Sequence, residues 1–230
     1  FLPTFLKTGT VDGWVSLEVS PLLAYDTAST LRAAIELHSR AGRPNLFIKI
    51  PGTREGLPAV EEAIFSGVPV NVTLLFSREH YLAAAEAWLR GIERRLDAGL
   101  DPNVGSVASL FVSRWDGAVA DKVTPDMKNR LGIAMAKRTY KASLELMNGP
   151  RWQRVIKAGA RPQRLLFAST GTKDPMASDI LYVNALPAPE TVNTMPEATL
   201  LALAGYDKIG PVLSADGGDC EKILSDFMKA

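Results

Sequence analysis

Along the chain, short runs of apolar and β-branched residues alternate with longer stretches whose apolar positions recur at helical spacing. The short runs predict strands over residues 14–19, 46–50, 68–76, 106–112, 165–169 and 191–195. The stretches between them predict helices over 28–39, 56–65, 78–96, 125–147, 151–158 and 196–204, with 221–229 closing the chain. Ser77 ahead of Arg78 reads as an N-cap, and Thr124 ahead of Pro125 puts proline in the first turn. Gly42, Gly67 and Gly205 follow predicted helices, where a left-handed cap suits glycine. Strands that alternate with helices imply parallel pairing through right-handed crossovers. No Gly/Ser linker or charge block marks a boundary, so residues 1–230 read as a single α/β domain.

Two architectures fit that alternation, an open doubly wound sheet and a closed β/α barrel. No GxGxxG turn follows any predicted strand, which weighs against a dinucleotide-type sheet. The two faces of each strand discriminate further. Leu46, Ile48 and Ile50 share one face while Phe47 and Lys49 share the other; Val70, Val72 and Leu74 oppose Asn71 and Thr73. Ser16 and Glu18 oppose Leu17 and Val19, and Val107, Ser109 and Phe111 oppose Ala108, Leu110 and Val112. Each strand thus has one apolar face to lie under a helix and one face bearing a polar group. A doubly wound sheet requires apolar residues on both faces. Polar groups that converge on a lumen suit a TIM (β/α)8 barrel, whose functional groups gather at the C-terminal strand ends.

Lys49 is the most informative position, because it interrupts the apolar run Leu46-Phe47-Ile48-Lys49-Ile50-Pro51. Desolvating an ammonium group is expensive, so a lysine here either reaches solvent at the strand end, pairs with an acid, or sits partly desolvated with a lowered pKa. The last state is the one that attacks a ketone carbonyl to form a Schiff base. Polar residues on the neighbouring strands favour it. Glu18 and Thr73 are placed to move protons through a water, and Ser16, Asn71 and Ser109 to bind sugar hydroxyls.

Composition narrows the classes. At 47% hydrophobic and 22% charged the chain has the make-up of an ordinary globular protein. Lys+Arg 26 against Asp+Glu 25 gives a net charge of +1, so no global field recruits nucleic acid or an anionic membrane. Cys220 is the single cysteine and there are two histidines, which excludes an intrachain disulfide and leaves too few ligands for a Cys/His metal site. This usage fits a reducing, cytoplasmic setting. His38 reads as a surface side chain, His80 as cap-associated, Cys220 as a semi-exposed thiol, and Trp14, Trp88, Trp115 and Trp152 as packing residues.

Several segments together resemble the signature strands of the transaldolase family. They are Val15-Ser16-Leu17-Glu18-Val19-Ser20-Pro21, Ile48-Lys49-Ile50-Pro51-Gly52-Thr53, Asn71-Val72-Thr73-Leu74-Leu75-Phe76-Ser77 and Ser106-Val107-Ala108-Ser109-Leu110-Phe111-Val112-Ser113-Arg114. Ala168-Ser169-Thr170-Gly171-Thr172-Lys173-Asp174-Pro175 and Thr191-Val192-Asn193-Thr194-Met195-Pro196 follow in the same order. The likeness is greatest to the bacterial type found in transaldolase/glucose-6-phosphate isomerase fusions.

The resemblance implies a barrel of the class I aldolase type and transfer of a dihydroxyacetone unit from a ketose phosphate to an aldose phosphate. A Schiff-base fructose-6-phosphate-type aldolase and a non-catalytic sugar-phosphate-binding remnant are the alternatives. Residue by residue it makes Lys49 the Schiff-base lysine, with Glu18 and Thr73 on the catalytic water. It places Asn71, Ser109 and Ser16 on substrate hydroxyls, and Arg114, Ser169 and Lys173 on phosphate. It implies no metal or organic cofactor, sugar phosphates as the partners, and no nucleic acid or membrane; it also allows a homodimer and a fused isomerase domain. The family's two opening strands, one bearing an acid/base aspartate, have no counterpart here, and the C-terminal tail reads as shortened. The chain therefore reads as a portion of a longer protein.

Overall fold

The computed structural model describes residues 1–230. In chain order the elements are α1 (Leu2–Lys7), β1 (Val15–Glu18), α2 (Thr27–Ala41), β2 (Leu46–Pro51), α3 (Gly56–Phe65), β3 (Val70–Leu75), α4 (Arg78–Asp97), β4 (Ser106–Phe111) and α5 (Ser113–Val119). There follow α6 (Leu131–Met147), α7 (Pro150–Lys157), β5 (Arg164–Ala168), α8 (Leu181–Ala185), β6 (Thr191–Asn193), α9 (Glu197–Leu203) and α10 (Cys220–Lys229). Single 3-10 turns occupy Pro21–Leu23 and Pro125–Met127. The six strands form one sheet in the order β1-β2-β3-β4-β5-β6. A doubly wound sheet reverses its strand order at a switch point; an order that follows the chain throughout is that of a β/α barrel. No helix is long and apolar enough to cross a membrane.

The chain divides into two compact units. The first comprises Phe1–Leu75, Ala83–Ala108 and Gly149–Gln163. In it β1, β2 and β3 run parallel, with Glu18 opposite Lys49, Lys49 opposite Asn71 and Pro51 opposite Thr73. Ile48, Ile50, Val70 and Val72 are fully buried, as are Ala59, Val60 and Ile64 of α3. Trp88 and Trp152, 4.6 Å apart between ring centroids, fill the contact of α4 with α7. Trp14 stacks on Phe47 with centroids 4.1 Å apart. These tryptophans are packing residues, as the sequence suggests.

The second unit comprises Phe76–Leu82, Ser109–Asn148 and Arg164–Ala230. Here the Val112 N–H donates to the Ala168 carbonyl and the Ser113 N–H to the Ser169 carbonyl, both at 3.0 Å. Leu131 and Ala134 of α6 pack with Cys220, Ile223 and Leu224 of α10. Cys220 is therefore a fully buried core residue, in place of the expected semi-exposed thiol, and burial pushes its thiol pKa up.

Several expectations are corrected. The helix expected over 125–147 is a 3-10 turn followed by α6, because Asn129 takes a left-handed φ of 60° between them. The start of α6 is capped from a distance: Asp116 on α5 accepts from the Leu131 and Gly132 N–H groups at 2.9 and 3.2 Å and from the Tyr182 hydroxyl at 2.9 Å. Gly42 and Gly67 have left-handed φ of 55° and 82° beyond their helices, whereas Gly205 does not, since α9 ends through Ala204 in a right-handed turn. Ser77 caps α4 as expected, its Oγ accepting from the His80 N–H at 3.2 Å. His38 is half-buried, with its pKa lowered by burial, and is not the surface group expected. α1, α5 and α8 are additional to the expected helices.

The strand faces hold in β2 and fail in two places. Val15 and Leu17 remain 41% and 42% exposed, because β1 is an edge strand with a neighbour on one side only. Leu74, expected on the apolar face with Val70 and Val72, has φ 60° and is 39% exposed. The left-handed turn there ends the alternation and brings Leu75 back over Gly52. The Asp116 cap generates a prediction. Asp116→Ala leaves two helix N–H groups and a buried hydroxyl without an acceptor, and lowers unfolding free energy in urea by about 2 kcal/mol.

Candidate active site

Side chains opposite one another in parallel strands share a face, so the register places Ser16, Glu18, Phe47, Lys49, Asn71 and Thr73 on one side of the first unit's sheet. Apolar Ile48 and Ile50 point to the other side and are fully buried beneath the helices. Lys49 is thus carried into this polar face by residues that fix its strand.

Lys49 Nζ lies 3.3 Å from Glu18 Oε1, with the lysine side chain 25% exposed and the glutamate 60%. Of the three states open to a lysine in this strand, the structure shows the acid pair, with a side chain that keeps a quarter of its surface exposed. One strand further on, Asn71 is buried and its Nδ2 donates to Ser16 Oγ at 3.1 Å. That bond reaches from β3 to β1 over the Lys49 side of β2. Thr73 is 2% exposed and its Oγ1 has no hydrogen-bond partner. A buried hydroxyl without a partner costs about 1–3 kcal/mol, a cost carried at this end of β3.

Just past Thr73 the chain turns through Leu74. Its left-handed φ, unusual for a residue with no polar side chain, stores strain of order 1 kcal/mol or more. The Gly52 N–H donates to the Thr73 carbonyl at 2.8 Å. A Cβ on Gly52 would meet Leu75 Cδ2 at 2.4 Å, so glycine is required where Leu75 covers this end of the strands. The structure thus brings together Ser16, Glu18, Lys49, Asn71 and Thr73.

The remaining sequence candidates belong to the second unit. Ser109 is buried on β4. Arg114 is exposed in the first turn of α5, and its guanidinium carbon stands 4.6 Å over the Phe111 ring. Ser169 follows β5 with φ 56°, and its Oγ lies 2.9 Å from Ser113 Oγ. Lys173 is exposed beside a cavity of about 230 Å³ that Asp116, Lys128, Asn129 and Tyr182 also line. Asp174 does not hold Lys173 in a local ion pair. It accepts from Asn129 Nδ2 at 2.7 Å and from the Met176 N–H at 2.9 Å, and the latter leads in lowering its pKa.

Sequence reasoning missed Trp115, read as a packing residue, and Asp116, left without a role. Trp115 Nε1 donates to the Phe76 carbonyl at 2.7 Å. Burial raises the Asp116 pKa despite three donors. The only sequence signal for either is adjacency to Arg114. No group of three or more His, Cys, Asp or Glu side chains is arranged to hold a metal ion.

The lone hydroxyl of Thr73 generates a prediction. Thr73→Val keeps the shape and removes the unpartnered group, so it raises unfolding free energy in urea by about 1 kcal/mol. An unchanged or lowered value would mean that the hydroxyl is satisfied, by the protein or by a bound water.

The family pattern described as Transaldolase/Fructose-6-phosphate aldolase matches residues 2–227. A protein named transaldolase from Parafrankia sp. (strain EAN1pec) is 44% identical over 234 residues, which cover 98% of this chain and 63% of that protein. A transaldolase from Thermobifida fusca (strain YX) is 47% identical over 215 residues, covering 90% of this chain and 58% of its own length. A transaldolase from Acidothermus cellulolyticus is 48% identical over 212 residues, covering 89% and 56%. The chain therefore spans about three fifths of the length of these curated relatives. Fold order, register and sequence agree, and the chain belongs to the transaldolase/fructose-6-phosphate aldolase family.

Proposed function

We propose that the protein is a transaldolase, a transferase that moves a dihydroxyacetone unit from sedoheptulose 7-phosphate or fructose 6-phosphate to glyceraldehyde 3-phosphate or erythrose 4-phosphate. The observation that carries this reading is a partly buried amine, Lys49 Nζ, 3.3 Å from the Glu18 carboxylate on a strand that is otherwise apolar. The name transaldolase carried by the relatives favours transfer over simple aldol cleavage. The proposed setting is the cytoplasm, as part of the non-oxidative pentose phosphate pathway.

In the proposed reaction Lys49 Nζ adds to the ketose C2 carbonyl carbon. The proton lost from nitrogen passes to the new alkoxide through a water held between Glu18 and Thr73, and the hydroxyl then leaves as water to give the protonated imine. The C3–C4 bond breaks as the C4 hydroxyl gives its proton to the acid/base aspartate that the family resemblance implies, which later returns it to the acceptor's new alkoxide, and the electron pair moves into the iminium nitrogen. An aldose phosphate departs and an enamine stays on Lys49. The enamine carbon attacks the acceptor aldehyde, and hydrolysis of the resulting imine frees the amine. The iminium is the electron sink, so this chemistry calls for no metal or organic cofactor. Ser16, Asn71 and Ser109 are the proposed contacts of the sugar hydroxyls; Arg114, Ser169 and Lys173 are the proposed contacts of the phosphate.

Borohydride reduction in the presence of fructose 6-phosphate traps the dihydroxyacetone adduct as a mass increment on Lys49 of the complete gene product. Lys49→Met abolishes turnover with unchanged circular dichroism. Labelling elsewhere, or activity in the methionine variant, overturns the mechanism. Free dihydroxyacetone released at the full rate without an aldose acceptor would identify an aldolase. Thr73→Val lowers kcat by roughly tenfold or more through loss of the water's ligand.

A further inference from the structure

The guanidinium of Arg114 is exposed, and a long exposed side chain loses rotamer freedom when it grips an anion. This arginine rests on a support. Its Cζ stands 4.6 Å over the centroid of the buried Phe111 ring, a cation–π arrangement that orients the planar group. Phe111 in turn leans on Phe76, with centroids 5.6 Å apart and planes tilted by 36°.

The Phe76 peptide is tied on both sides. Its N–H donates to His80 Nδ1 at 3.3 Å, and its carbonyl accepts from Trp115 Nε1 at 2.7 Å. Trp115 is the residue after Arg114, and it packs against the buried cluster that α6 and α10 form through Leu131 and Cys220. The stack therefore has one end anchored in the hydrophobic core of its unit and the other end under the guanidinium.

We propose that Trp115 is a positioning residue for phosphate recognition: its indole N–H holds Phe76, Phe76 braces Phe111, and Phe111 presents the Arg114 guanidinium flat and preorganised to the phosphate of the substrate. This inference rests on the phosphate role given to Arg114 above. It assigns a preference for phosphorylated over unphosphorylated ketoses to a hydrogen bond that touches neither substrate nor arginine. Preorganisation of this kind is read in KM for the phosphorylated sugar and spares the chemical step at Lys49.

Trp115→Phe removes the N–H and keeps an aromatic ring in the core. In the complete gene product it raises KM for fructose 6-phosphate by roughly threefold to tenfold, the value of one partly buried hydrogen bond, with kcat little changed. For free fructose as donor kcat/KM stays at the parent value. Equal losses with both donors, or an unchanged KM for fructose 6-phosphate, overturn the proposal. Arg114→Ala, measured in parallel, tests the underlying reading: if it fails to discriminate between the donors, the phosphate role itself falls. If it discriminates and Trp115→Phe does not, only the brace falls. Should Trp115→Phe lose its circular dichroism spectrum, His80→Ala, at an exposed position, releases the Phe76 N–H and carries the same expectation and the same refutation.

Discussion

The constraint on which the first unit depends is the placing of an amine in an apolar strand. Taking an ammonium out of water costs several kcal/mol unless polar partners replace the hydration. Lys49 has its ion-pair partner Glu18 on β1, and Asn71 stands opposite it on β3 with its amide bonded to Ser16. The requirement then spreads. Glu18 and Asn71 must face the side of Lys49, so their neighbours Leu17, Val70 and Val72 face the other. A slip of one residue in either pairing would send the acid or the amide among the helices and leave the amine alone. Site chemistry and strand register are thus one condition, met by the same alternation of residues.

Costs gather at the strand ends around this condition. Thr73 keeps a buried hydroxyl without a protein partner, and Leu74 adopts left-handed backbone near the end of β3. Leu74 turns out of the face occupied by Val70 and Val72, and the turn lets Leu75 seal the chain over Gly52. Strain and unsatisfied polarity of this kind persist only where the surrounding packing over-determines them.

This pattern explains what the sequence could convey. The two faces of β2 were legible because Ile48 and Ile50 against Lys49 is a local, period-two signal, and the register to Glu18 and Asn71 follows from it. The kink at Leu74 was not legible, since leucine carries no preference for positive φ. The break at Asn129 was hidden because the residue that starts α6, Asp116, is fifteen positions away in sequence. Cys220 looked semi-exposed beside Gly217 and Gly218, but its side chain belongs to the face of α10 that packs on α6. Local periodicity reports faces; it does not report caps supplied from afar.

The same long-range bonds bear on the cations of the second unit. Arg114 and Lys173 each have an aspartate close in sequence, Asp116 and Asp174, and a sequence reading must weigh neutralising ion pairs at both. Asp116 is drawn inward instead, accepting from two helix N–H groups and Tyr182. Asp174 is engaged by Asn129 and by the Met176 N–H. Both carboxyl groups thus spend their acceptors on neutral donors. Arg114 is left stacked on a ring, which orients its charge without cancelling it. A guanidinium supported in that way keeps its forked donors for an anion, and the aspartates nearby act on the geometry of the unit and leave that charge in place.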